Sequence, residues 1–265
     1  MDVHPKIALH AVGRRFSASG GAATIALQGV SLQVAAQEIV CLVGPSGCGK
    51  TTLLNIVAGF DRASEGEVLV DGQPVNGVGP ERAVVFQSPA LFPWRTVFDN
   101  LVFGAYHRGL PRADYEPRAR HLLDAVGLHG FDAHYPYQLS VGMRQRVQIA
   151  RALLMNPEVI LMDEPFGALD FQTRLTMQEL LQTIWSEFRP TILFITHDVE
   201  EAAFLGDRVV VMSRRPGRIV EDIPVPFAKP RAYELTSSAP FQALKDRVLQ
   251  LIRREGAPQA KTASC

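Results

Sequence analysis

Gly44-Pro45-Ser46-Gly47-Cys48-Gly49-Lys50-Thr51 sets two glycines apart by four residues and follows the second with a lysine and a hydroxyl. An apolar run of strand length, EIVCLV, precedes it, and a helix-like run, TTLLNIVAG, follows. Glycines in such a loop let successive backbone N–H groups converge on phosphate oxygens. The helix that begins near Lys50 adds the positive end of its dipole. Lys50 supplies a point charge to β- and γ-phosphates, and Thr51 a hydroxyl for Mg²⁺. The chemistry indicated is the grip of a nucleoside triphosphate. Cys48 lies inside this loop, where access to thiol reagents is expected, and is given no chemistry. Cys41 reads as a core residue.

A second cluster is Val159-Ile160-Leu161-Met162-Asp163-Glu164-Pro165, an apolar strand ending in adjacent acids. Two readings are open. In one, the strand ends at the surface and simply exposes both acids. Otherwise Asp163 reaches Mg²⁺ through water and Glu164 polarises an attacking water, the reading favoured by the company of the first motif. A third segment, Leu139-Ser140-Val141-Gly142-Met143, places Ser140 as a helix N-cap. It is either an ordinary capped helix or a second anion-binding helix end. Since Gly44 to Thr51 already surround one nucleotide's phosphates, the second reading points to a head-to-tail dimer, each chain's Ser140 end closing over its partner's nucleotide.

The elements that must carry these residues follow from periodicity. IALHAV, SLQVAA, EIVCLVG and AVVFQ read as strands, and GEVLVDGQPV as a hairpin turning on Asp71-Gly72. Residues 88–154 read as a helical insert. Ala119, Leu122, Leu123 and Val126 form one helical stripe stopped by Gly127, and a second helix runs from Val141. Strands return with VILM, TILFI and RVVVM, around a helix carrying Met177, Leu180, Leu181, Ile184 and Phe188 on one face. This alternation predicts a largely parallel sheet covered on both faces. Pro216-Gly217 marks a turn, and Phe241, Leu244, Val248 and Leu251 stripe a final helix capped by Ser238 and stopped by Gly256. From Ala257 onward the chain reads as frayed.

Composition bounds the rest. The 265 residues are 47% hydrophobic, enough for a proper core. Lys+Arg and Asp+Glu are 27 each, a balance unsuited to general nucleic-acid binding, so no nucleic-acid partner is expected. Three cysteines form neither a disulfide framework nor a zinc pattern, which fits a reducing, intracellular setting. No stretch approaches a membrane span, so any crossing falls to other chains.

Taken in order, these motifs resemble those of the ATP-binding subunits of ABC transporters: Phe16, Gly44 to Thr51, Gln87 in VVFQSP, Leu139 to Met143, Asp163-Glu164, Ala168-Leu169-Asp170 and His197 in ITHD. The resemblance implies an α/β fold: a P-loop NTPase (ABC ATPase) core, an N-terminal antiparallel β subdomain and a helical subdomain insert. It divides a single ABC ATPase domain, 1–265, into 1–87 (β subdomain and P-loop part of the core), 88–154 (helical subdomain with signature), 155–213 (rest of the core) and 214–265 (tail). ATP and Mg²⁺ are the implied cofactors. Phe16 would stack on adenine, and Gly44, Pro45, Ser46, Gly47, Cys48, Gly49, Lys50, Thr51 and Thr52 would hold the nucleotide. Thr51, Gln87 and Asp163 would serve the metal, and Glu164, His197 and Gln87 catalysis. Ser140 and Gly142 would touch the opposite site's γ-phosphate, with Asp170 at the dimer seam. Taken singly, Phe16 reads equally as a core aromatic, Gln87 as a strand-end polar residue and His197 as a satisfied strand-end histidine.

One departure stands out, since Val141 occupies a position where the family usually has glycine. A β-branched side chain there limits how closely backbone approaches a phosphate. GPERAVVFQ, LFPWRTVFDNLVFG, MDEPFGALDFQTR and DRVVVMSRRPGRIVEDIPV resemble the nitrate/sulfonate/taurine importer group in particular. The expected function is thus ATP hydrolysis powering uptake of an organosulfonate, taurine or nitrate. The alternatives are a soluble non-transport ABC ATPase or an exporter subunit. Expected partners are a second copy or paralogous ATPase subunit, transmembrane permease subunits and, indirectly, a solute-binding protein. The expected place is peripheral, on the cytoplasmic face of the inner membrane. Ala90-Leu91-Phe92-Pro93-Trp94 either packs into the insert or forms a groove for a permease helix.

Overall fold

In the computed structural model, which describes residues 4–17 and 23–256, the chain opens with β1 (Ile7–Phe16) and β2 (Thr24–Val34), paired antiparallel. The tail from Ala257, Cys265 included, lies outside the described residues. β3 (Ile39–Val43) leads through the glycine loop into α1 (Lys50–Ala58). β4 (Glu65–Val70) and β5 (Gln73–Pro74) form the expected hairpin, with φ of 49° at Asp71 and 70° at Gly72, the two positive values such a turn requires. β6 (Arg82–Val85) follows. Then come α2 (Val97–His107), α3 (Arg112–Ala125) and α4 (Val141–Leu154). The chain continues as β7 (Val159–Asp163), α5 (Phe171–Phe188), β8 (Thr191–Ile195), α6 (Val199–Leu205), β9 (Arg208–Met212), β10 (Ile219–Pro224) and α7 (Ala239–Gly256).

The strands make two sheets. One is antiparallel, in the order β2-β1-β4-β5; the other has six strands in the order β10-β9-β3-β8-β7-β6, parallel except for β10 against β9. Every residue of β3 is buried, and its side chains alternate between two cores. Ile39, Cys41 and Val43 pack with α5, α6 and the helical insert, whereas Val40 and Leu42 pack with α1 and the antiparallel sheet. Both faces are covered, which explains why β3, β8 and β9 read as apolar runs rather than alternating patterns. Burial on this scale also pushes the Cys41 thiol pKa well up.

Neither α2 nor the short α6 is expected from the apolar periodicity. Thr96 caps α2 by accepting the Asp99 N–H at 3.1 Å. Thr-x-x-Asp before an apolar run was therefore an available start signal. α5 also begins earlier than its apolar stripe, because Asp170 caps it through the Thr173 N–H at 3.0 Å.

α7 is secured through the segment before it. Buried Arg231 donates to the carbonyls of Ala203, Phe204 and Gly206 at 3.0, 2.8 and 2.9 Å, satisfying the C-terminus of α6. Lys229 lies 3.9 Å from the Trp185 ring centroid and pairs with Asp207 at 2.7 Å. Burial lowers the pKa of both cations.

Candidate active site

The glycine loop sits where β3 ends and α1 begins. Gly49, at φ 104°, is the N-cap of α1, and a Cβ there would fall 2.7 Å from Leu27 Cδ2, so only glycine fits. The loop walls a cleft of about 350 Å³ lined by Ser46 to Thr52, Glu164, His197 and Arg215. Lys50 is buried and folds back, its Nζ donating to the Gly44 and Pro45 carbonyls at 2.8 and 3.2 Å. Cys48, expected to be accessible, is only 1% exposed, since its side chain packs into the core behind the loop. That corrects the expectation of thiol reactivity.

β7 delivers the acids. Asp163 Oδ1 accepts from the Thr51 hydroxyl at 3.2 Å, and burial pushes its carboxyl pKa up, with Lys50 and the Thr51 bond opposing. Glu164 leaves the strand at φ 45°, a left-handed backbone that turns its carboxylate toward the cleft. Its N–H donates to Ile195 O at 2.9 Å, and its Oε2 lies 3.1 Å from His197 Nδ1. The parallel pairing of β7 with β8, Asp163 opposite Ile195, is what places His197 beside Glu164. Gln87 is exposed beyond β6. A Cβ on Gly167 would lie 3.4 Å from Gln87 Nε2 and 3.7 Å from Glu164 Oε2, so these two side chains converge on Gly167.

Ser140, Gly142 and Asp170 gather elsewhere. Ser140 Oγ caps α4 by accepting the Met143 N–H at 3.2 Å. A Cβ on Gly142 would approach Thr173 Cγ2 to 2.6 Å, so the starts of α4 and α5 adjoin, with Asp170 between them in sequence. None of these residues lines the phosphate-loop cleft. Phe16 is 42% exposed at the end of β1, and the guanidinium of Arg14 stacks over it at 4.5 Å while pairing with Asp61. Of the cleft residues, Arg215 alone went unanticipated, because nothing in SRRPGRI marks it until the β9–β10 turn folds back over the loop.

A family model described as ABC transporter matches residues 27–167. The chain belongs to the ABC transporter ATP-binding family. The taurine import ATP-binding protein TauB of Roseobacter denitrificans is 49% identical over 222 residues, 84% of this chain and 83% of that protein. Among solved structures, cbiO1 from Clostridium perfringens, part of the ABC transporter complex cbiONQ, superposes with a TM-score of 0.76 at 25% identity. It covers 96% of this chain and 100% of its own. MJ0796, a bacterial ABC transporter cassette solved as a dimer, gives 0.73 at 32% identity over 84% of this chain and 100% of its own. The fold is thus the α/β P-loop core of an ABC ATPase, and the chain is an ATP-binding subunit with ATPase chemistry. Among the described residues, no helix of this ABC subunit is long and apolar enough to cross a membrane.

Proposed function

We propose that this chain drives uptake of a small organosulfonate, taurine foremost, by hydrolysing ATP at a site completed by a second copy. The observation that carries the reading is the Glu164–His197 pair at the mouth of the phosphate-loop cleft. A carboxylate within hydrogen-bond reach of an imidazole is placed to orient and deprotonate a water attacking the γ-phosphate. Lys50, now bonded to its own loop's carbonyls, exchanges those bonds for β- and γ-phosphate oxygens. Taurine as cargo rests on the taurine-import relative described above; nitrate and alkanesulfonates are the neighbouring choices.

Mg²⁺ fits the residues present. The Thr51 hydroxyl and the Asp163 carboxylate are hard oxygen donors that already meet at 3.2 Å. When bound, the ion neutralises charge developing on the phosphoryl oxygens. Gln87 approaches Glu164 from β6 and would sense the same water.

The signature residues Ser140 and Gly142, with Asp170, form the complementary half-site for the partner copy's nucleotide. Phe16 provides the adenine platform. Within the single domain, 1–87, 88–154, 155–213 and 214–265 act as β subdomain with P-loop, helical subdomain, remaining core and tail. The permease docks at Trp94, which is 72% exposed, while Phe92 packs against Phe103 at 4.4 Å and Asn100 pins the segment through the Phe92 and Arg95 carbonyls. A solute-binding protein delivers cargo from the far side, and the ATPase rests peripherally on the cytoplasmic face.

Deletion of the gene tests the cargo: growth on taurine as sole sulfur source is lost and is restored by the wild-type chain but not by Glu164→Gln. Normal growth of the deletion strain on taurine and alkanesulfonates removes this cargo class.

A further inference from the structure

We infer that Arg215 is a second phosphate-binding cation of the nucleotide site, acting on the terminal phosphates beside Lys50. The inference rests on the reading of the cleft as a nucleotide site. A triphosphate carries more negative charge than one lysine offsets, and the cleft already contains the Glu164 carboxylate. Arg215 is the other fixed cation lining that cleft. Its Nη2 stands 3.9 Å from where a Cβ on Gly47 would lie, at the crown of the loop. Among the described residues it has no hydrogen bond or ion pair, unlike Lys50, so its five donors are available to a ligand.

The turn that carries it is built against the loop. The Gly217 N–H donates to Ala26 O at 2.8 Å, and the Gln28 N–H to Gly217 O at 3.0 Å, binding the turn to β2. Ser213 Oγ accepts from the Arg218 N–H and donates to Pro216 O, both at 3.0 Å, closing the turn on itself. A Cβ on Gly217 would collide with the Cys48 carbonyl, so the turn meets the phosphate loop backbone to backbone. So fixed a backbone keeps the planar arginine fork within reach of the loop, where it can meet phosphate oxygens in bidentate fashion.

The test is a titration of the full-length chain with fluorescent ATP, ADP and AMP analogues in the presence of magnesium. Arg215→Ala is expected to weaken ATP and ADP about tenfold and leave AMP unchanged. Arg215→Lys should recover most of the loss. In turnover, KM for ATP should rise with kcat held within about twofold. Wild-type ATP affinity in Arg215→Ala overturns the inference. Equal losses for AMP and ATP overturn it too, as the mark of a general distortion, and so does a fall in kcat at constant KM. Lys50→Ala is the control: if it also binds ATP normally, the nucleotide-site reading itself fails, and the inference fails with it.

Discussion

Glu164 combines a backbone in the left-handed region with a carboxylate oxygen 3.1 Å from His197 Nδ1. A non-glycine residue held there costs about 1–3 kcal/mol, and here the cost aims a carboxylate into the cleft. Two substitutions separate geometry from chemistry. Glu164→Gly should raise stability by about 1 kcal/mol of relieved strain while abolishing turnover; calorimetry and phosphate release report the two effects. Glu164→Gln should keep nucleotide affinity and lose about 10²–10⁴-fold in hydrolysis. At the start of α4, Val141 is exposed where the resemblance leads one to expect glycine. Val141→Gly is expected to speed turnover and tighten ATP-driven dimerisation; equal rates and equal dimer fractions would show that the branched side chain does not hinder phosphate approach.

At the scale of elements, the position of α6 depends on polar side chains buried at both its ends. Glu201 in its first turn is 4% exposed, accepts from Gln178 at 3.1 Å, and has its pKa raised chiefly by burial. The native state therefore holds this proton at pH values where the unfolded chain has released it. Unfolding then releases a proton, and stability falls as pH rises from the ordinary carboxylate range through the raised value. Glu201→Gln should flatten that slope, matching wild type at acidic pH and melting higher at pH 8. At the other end, Arg231→Ala strands three buried carbonyls, and a loss of about 3 kcal/mol in urea unfolding is expected. The β9–β10 turn makes a comparable demand. Gly217→Ala forces Cys48 and the phosphate loop to move, so roughly 1–3 kcal/mol of stability and part of the ATP affinity should go together.

At the scale of the whole molecule, the functional residues fall into separate groups. Ser46 to Thr52, Asp163, Glu164 and His197 meet around one cleft, whereas Ser140, Gly142 and Asp170 meet at the adjoining starts of α4 and α5. On the function proposed above, a single chain holds each half of a site without bringing the halves together. With turnover blocked by Glu164→Gln, Mg-ATP should double the mass seen by light scattering, and Ser140→Arg in the same background should prevent the doubling. A monomer under both conditions would leave the second group without its assigned task. The aromatic surface at Trp94 belongs to this scale as well: Trp94→Ala should spare the isolated ATPase and depress uptake by the assembled transporter.

The phosphate loop, the acids ending β7 and the cap of α4 were legible in the sequence, because each depends on residue types a few positions apart. Backbone convergence, dipoles and capping act over a turn or two of chain, and spacing alone encodes them. The parallel sheet was legible for a related reason, since strands buried on both faces must be continuously apolar. The tertiary structure decided what long-range packing controls. It buried Cys48, which loop membership alone suggested was open, and brought His197 to Glu164 across the register of β7 and β8. It also set Arg215 over a loop more than 160 residues earlier in the chain. No local pattern fixes such contacts, because they arise only when separate strands share one sheet and a turn finds its place against another backbone.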